Sequence, residues 1–156
     1  MKFSTAFTTV LPLFLGSALA APLEQRAETA SLSYDERYDV ASTSLDGVAC
    51  SNGSNGVENW GYHTFGDLPG FPRVGGAPTI TGWNSPQCGT CYQLTYQAGT
   101  VNNSIYVTAI DTGYSGFNIG LTAMNQLTNN QAAQLGRVDI TYQAVDRTLC
   151  GFPASG

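Results

Sequence analysis

Gly82-Trp83-Asn84-Ser85-Pro86-Gln87-Cys88-Gly89-Thr90-Cys91-Tyr92-Gln93-Leu94-Thr95-Tyr96 decides how the rest of the chain is read. A reactive Cys-x-x-Cys pair usually opens a helix, whose dipole lowers the thiol pKa. Here the residues after Cys91 alternate, with Tyr92, Leu94 and Tyr96 on one face, which is the period of a half-buried strand. Zinc is the other rival, but there is no second Cys-x-x-Cys pair and His63 is the only histidine. Cys50, Cys88, Cys91 and Cys150 form an even set with three possible pairings, and structural disulfides are the favoured reading.

Working outward, the same alternation recurs. Ile105, Val107 and Ala109 share a face of a strand that runs to Ile110 and ends at Asp111, and Val138, Ile140, Tyr142 and Ala144 share another. Leu32-Ser33-Tyr34-Asp35 and Tyr38-Asp39-Val40 read as an opening strand and turn. Between Leu121 and Leu135 the apolar spacing is helical, giving one helix or two short ones broken at Asn129-Asn130. Gly53 to Gly56 is a loop, and the prolines and glycines of Gly66 to Pro72 exclude regular structure there. Short strands, little helix and Gly-rich turns predict a mainly β protein, a small barrel or sandwich.

The start of the chain reads as an address. Met1-Lys2, an apolar run to Leu15 and the small-x-small Ala18-Leu19-Ala20 predict a secretory signal over residues 1–20. Residues 21–30 read as a polar tail without a strand period, open to trimming after Arg26, and residues 31–156 as a single domain. The signal holds the only lysine, so the mature chain of 136 residues keeps five Arg against eleven acids, a charge near −6. No second apolar run of about 18 residues follows, so a soluble extracellular protein without membrane insertion is expected. Only 11% of the chain is charged and no basic run exists, which excludes nucleic acid as a partner. Asn52-Gly53-Ser54 and Asn102-Asn103-Ser104 are sequons in expected loops, so Asn52 and Asn102 are candidate glycan sites.

Catalytic chemistry is thinly represented. A lone His63 without a G-x-S-x-G elbow gives no triad, and no metal-ligand spacing or phosphate loop is visible, so no metal or cofactor is expected. Asp111 enters the Gly-rich segment Asp111-Thr112-Gly113-Tyr114-Ser115-Gly116-Phe117-Asn118. It stands either over a cleft or as an acceptor for its own loop amides. No second carboxylate pairs with it by spacing, as a glycosidase requires. Trp60 and Trp83 lie beside glycines. Such rings can stack on sugars, but packing on the core or a disulfide is commoner, and Trp83 is read as core.

Several segments together resemble the cerato-platanin family. They are Tyr34-Asp35…Tyr38-Asp39, Val48-Ala49-Cys50-Ser51-Asn52-Gly53, Gly70-Phe71-Pro72-Arg73-Val74-Gly75-Gly76, Gly82 to Cys91, and Asp111-Thr112-Gly113…Gly116-Phe117-Asn118. The likeness runs from about Ser31 to Gly151. It implies a single six-stranded double-psi β-barrel with one or two short helices, like the first domain of expansins, and the disulfides Cys50–Cys88 and Cys91–Cys150. It also implies a secreted, cell-wall-associated fungal protein that binds chitin or N-acetylglucosamine oligomers in a shallow groove without hydrolysis. Elicitation of plant defence through a cell-surface receptor, or allergenicity, is a further implication. The carbohydrate-binding positions so implied are Asp111, Ser51, Asn52, Gly76 in a Gly-Gly loop, Asn84 and Ser85, with no catalytic residue. Alternatives are expansin-like loosening of cellulose or chitin, and a surface-active coat protein, a monomer that self-assembles at interfaces. The chain departs from the family pattern at Trp60-Gly61-Tyr62-His63.

Overall fold

The computed structural model describes residues 26–154; the signal and its cut site lie outside them. Six strands, β1 (Glu28–Tyr34), β2 (Val74–Ala77), β3 (Cys91–Ala98), β4 (Val101–Thr112), β5 (Phe117–Ile119) and β6 (Arg137–Val145), close into a barrel. Their order around it is β1-β5-β2-β4-β3-β6. The pairs β1/β5 and β2/β4 are parallel and the other four antiparallel, so two strands cross over between non-neighbours to close the double-psi barrel. Every strand has a neighbour on both sides, although β1 before Leu32 pairs only with β6 and β4 before Thr108 only with β3.

The alternation read from the sequence becomes the inside of the barrel. Leu94, Val107, Ala109, Ile140 and Phe117 are buried, while Thr29, Gln97, Ser104 and Thr141 on alternate positions face solvent. Tyr92, Phe117 and Tyr142 meet edge to face with centroids 4.9 to 5.9 Å apart, an arrangement their ring quadrupoles favour. Two helices, α1 (Leu121–Thr128) and α2 (Ala132–Leu135), follow β5. They are separated where expected, since Asn129 and Asn130 both take positive φ. The carboxylate of Asp39 accepts from the Thr122 amide at 3.2 Å and satisfies one of the free donors at the start of α1.

Both disulfides form as the resemblance implied, Cys50–Cys88 and Cys91–Cys150. Trp60 supports the second from outside. It meets Phe152 edge to face at 5.6 Å, lies against Gly89, and carries the Arg147 guanidinium at 4.7 Å from its ring centre.

Several expectations are corrected. Residues 28–30 belong to β1, because their backbone pairs with Tyr142, Thr141 and Ile140 of β6 even though Glu28 and Thr29 are polar. Asn102 is not in a loop but on the outer face of β4, because the turn at Gly99 is tight. The Gly-rich segment from Asp111 is not all loop: Asp111 lies within β4 and Phe117 opens β5. Gly76 sits in strand β2 rather than in a loop. A single 3₁₀ turn, Phe65–Asp67, is the one regular element touching the segment from Gly66 to Pro72.

Burial shifts three phenols upward. The Tyr142 hydroxyl, part-buried and donating to Glu28 Oε2 at 2.6 Å, is pushed up to about 12 by desolvation and by that carboxylate; Tyr38 and Tyr92 are also raised, chiefly by burial. In the unfolded chain these phenols ionise near pH 10. Their contribution to stability is therefore complete below pH ~10 and is lost as pH rises through the folded values. The urea midpoint is expected to stay level from pH 7 to 9 and to fall steadily between 10 and 12. A level midpoint to pH 12 contradicts this assignment.

Candidate functional site

Asp111 stands near the end of β4, in register with Gly76 of β2. Its Oδ1 accepts from the amides of Ala49 (3.1 Å) and Thr112 (2.9 Å). Its Oδ2 accepts from the Tyr38 hydroxyl (3.1 Å) and the Arg37 guanidinium (3.0 Å). A carboxylate has about four lone-pair sites, so all are engaged. Of the two expectations for Asp111, the structure shows the acceptor of nearby amides. It also ties β4 to two other segments, the 3₁₀ turn Glu36–Asp39 and the turn at Ala49-Cys50. A carboxylate so engaged positions its surroundings.

Ala49 passes this order on. Its amide goes to Asp111 and its carbonyl accepts from Asn84 N at 3.2 Å. Asn84, at φ 59°, accepts from the Asn55 amide (2.8 Å) and the Ser54 hydroxyl (3.4 Å), and its own carbonyl accepts from Asn55 Nδ2 (2.9 Å). The Cys50–Cys88 bond clamps the same two loops together. Gly53 fits between them because it has no Cβ. One there would come within 2.7 Å of Asn84 Oδ1 and 3.0 Å of the Trp83 ring, at a φ of +86° that side chains avoid.

Trp83 is the main correction. It is 64% exposed, not core. The Gly82 and Asn84 backbone carries it outward, its ring lies against Gly53, and its indole N–H donates to Asn52 Oδ1 at 2.9 Å. The result is a fixed aromatic platform beside amide and hydroxyl groups. Of the expected binding positions, Asp111, Asn52 and Asn84 belong to this connected region, while Gly76 is buried in β2 behind Asp111 and offers no surface. Ser51 and Ser85 belong to the region only as buried supports, each 4% exposed, because their neighbours Cys50 and Cys88 draw the chain inward. The sequence reading missed Arg37 and Tyr38 as partners of Asp111. Their nearness in space to Asp111 depends on the closed barrel, although the Tyr34 to Asp39 segment was itself singled out. Trp83 was discoverable: Gly82, Asn84 and Pro86 around it are turn formers, and residues 52–55 opposite it are all polar or glycine.

His63 is exposed, and its backbone amide donates to Asp67. Among the described residues no three of His, Cys, Asp and Glu come together to hold a metal ion, and no helix is long and apolar enough to cross a membrane.

The cerato-platanin family model matches residues 30–152, from within β1 to the ring that packs on Trp60. The chain belongs to the cerato-platanin family. It is 55% identical over 155 residues to the allergen Asp f 15 of Aspergillus fumigatus, covering 96% of this chain and 97% of that protein. Among solved structures it resembles the crystal structure of cerato-platanin 1 from M. perniciosa, at 52% identity and a TM-score of 0.74, over 77% of this chain and 98% of that one. It also resembles the solution structure of the fungal elicitor Cerato-Platanin, at 45% identity and a TM-score of 0.69, over 78% and 96%. Membership of the cerato-platanin family fits the barrel, the two disulfides and the oxidising compartment that they require.

Proposed function

We propose that this cerato-platanin family protein is secreted, associates with the fungal cell wall and binds chitin-type N-acetylglucosamine oligomers on the surface formed by Trp83, Asn52 and Asn84. The observation that carries this reading is the exposed Trp83 ring, pinned by Asn52 beside a loop of amides and hydroxyls. The ring face takes the apolar C–H face of a sugar, and the neighbouring amides take its hydroxyl and acetamido groups. Asp111 is a positioning residue in this scheme, not a ligand contact. Contacts of this kind on an open surface give modest affinity. The protein is not an enzyme on this reading. Recognition by a plant receptor as an elicitor, or as an allergen, is supported by the names of its relatives. Expansin-like, non-hydrolytic loosening of cellulose or chitin is a second reading, favoured by the same saturated carboxylate. A glycan on Asn52 Nδ2 would stand beside the Trp83 ring, so occupancy of that sequon and sugar binding compete.

Titration of the ¹⁵N-labelled protein with chitohexaose tests the first reading. Shifts are expected at the Trp83 indole N–H, Asn52 and Asn84. Trp83→Ala should weaken binding about tenfold or more, ~1.4 kcal/mol, with little change in stability. Asp111→Ala should remove both binding and ~3 kcal/mol of stability, because it strands charge-assisted donors worth ~1.5–3 kcal/mol each. Unmoved resonances around Trp83 at millimolar sugar would sink the proposal.

A further inference from the structure

On the side of the barrel away from Gly76 and Asp111 the strands build a different polar surface. In the closed order β6 stands opposite β2, and β3 opposite β5. Outward-facing positions of four strands fall into one row: Thr29 pairs with Thr141, Thr141 with Thr95, and Thr95 with Ser104. Four hydroxyls therefore cross β1, β6, β3 and β4 at steps of ~4.8 Å. Amides flank the row, with Gln143 donating to Gln93 at 2.8 Å on one side and Gln97 donating to Asn102 at 3.1 Å on the other. The surface is concave. An open trough of about 610 Å³ lies between β1 and β3 over β6, and Asp139 is the one charged residue lining it.

Strand preference explains threonine on an exposed sheet face. It does not explain a hollow, or a lining without Lys, Arg or Glu. We propose that this trough is a second binding surface, for a neutral linear β-linked polysaccharide lying across the strands along the hydroxyl row. Charge selects the occupant. An anionic polymer requires clustered basic groups; here a single one, Arg137, bonds the lining Ser31 at 2.8 Å, and the Asp139 carboxylate lines the trough. The lining sets the hydroxyls of Thr29, Ser31, Thr95 and Thr141 and the Gln97 amide beside Ala30 and Ile140, a mixture of polar groups and small apolar surface that suits the two kinds of face a sugar ring presents. A neutral polyol matches donors and acceptors held in fixed cross-strand pairs. A β-1,4-linked chain also advances by roughly one strand spacing per sugar. The surface extends the wall-binding reading without depending on the Trp83 site. Two separate sugar surfaces make one molecule bivalent, so that it holds a polymer or two neighbouring chains more tightly than either surface holds an oligomer.

The test titrates wild type, Trp83→Ala, Thr141→Arg and the milder Thr141→Val with chitohexaose and, separately, cellohexaose. Thermal melts confirm that each variant is folded. Shifts are expected at the amides of Thr29, Thr95 and Thr141 with at least one of the two sugars. They should persist in Trp83→Ala, weaken in Thr141→Val and vanish in Thr141→Arg. Retention on insoluble chitin or cellulose should fall about tenfold in Thr141→Arg relative to wild type. Shifts confined to the Trp83 loops would overturn this proposal and leave the first binding surface standing. Shifts confined to the hydroxyl row would do the reverse.

Discussion

Gly76→Ala is expected to lower stability by ~3 kcal/mol or more, a melting-point loss of about 10 °C or more. Strand β2 is four residues long, wholly buried and wedged between β4 and β5. The register shifts between Gly75 and Gly76, which brings the two glycines against different neighbours. A Cβ on Gly76 would overlap the carbonyl of Thr112, and one on Gly75 the carbonyl of Asn118. These obstacles are backbone, paired in a closed ring, so no side chain can swing aside. Ordinary overpacking costs ~1–3 kcal/mol, and here the strain falls on the ladder itself. The damage would also reach Asp111, which is Gly76's register partner. Gly47→Ala is the control, since nothing lies within 4 Å of a Cβ there, and it should be near neutral. Equal melting points for the two variants would contradict the argument. A Gly76→Ala chain recovered only as insoluble protein would support it.

Removing Cys91–Cys150 by a double substitution to alanine is expected to cost ~4 kcal/mol in the chain-entropy picture. The bond closes a separation of 59 residues and ties the C-terminal turn Arg147–Cys150 to the start of β3. A domain of this size has only ~5–15 kcal/mol in hand. The Cys50–Cys88 bond, with a separation of 38, should cost nearly as much to remove, but with a different second effect. It clamps the loops that carry Asn52 and Trp83, so its loss should also abolish chitohexaose shifts in protein that remains folded. The C-terminal variant should keep them. Urea denaturation of both variants measures the first effect and sugar titration the second. A loss under ~1 kcal/mol for either bond would contradict the estimate.

The parts of the fold legible in the sequence were those governed by short-range periodicity. Tyr92, Leu94 and Tyr96 alternate, and they line one face of β3. Asn129-Asn130 broke the helical stretch because asparagine tolerates positive φ. The strands β2 and β5 carried no such signal. Val74 to Ala77 is half glycine, and Phe117 to Ile119 is three residues long. Each becomes a strand only because the ring must close. The start of β1 failed for a related reason: Glu28 and Thr29 are polar because their side chains face solvent, although their backbone is fully paired.

The candidate site divided in the same way. Asn52, Asn84 and Asp111 were reachable through motif resemblance, and the structure joins them through Ala49. The role of Asp111 was not reachable, because two of its four partners, Arg37 and Tyr38, come from a segment more than 70 residues away. Trp83 was misjudged by weighing what tryptophan usually does above what its neighbours permit. With Gly82 before it and Asn84 in a left-handed turn after it, the ring projects from the surface.

The Arg37–Asp111 contact is the one ion pair among the described residues. Dissolved salt acts on a protein mainly by screening charges, and this barrel offers it little to screen. Its folded state, and its hold on an uncharged polymer, should therefore differ little between dilute sap and concentrated brine. Partners that dock through charge lose their grip as ionic strength climbs. A protein held together by covalent clasps, apolar packing and neutral hydrogen bonds keeps its shape across that range.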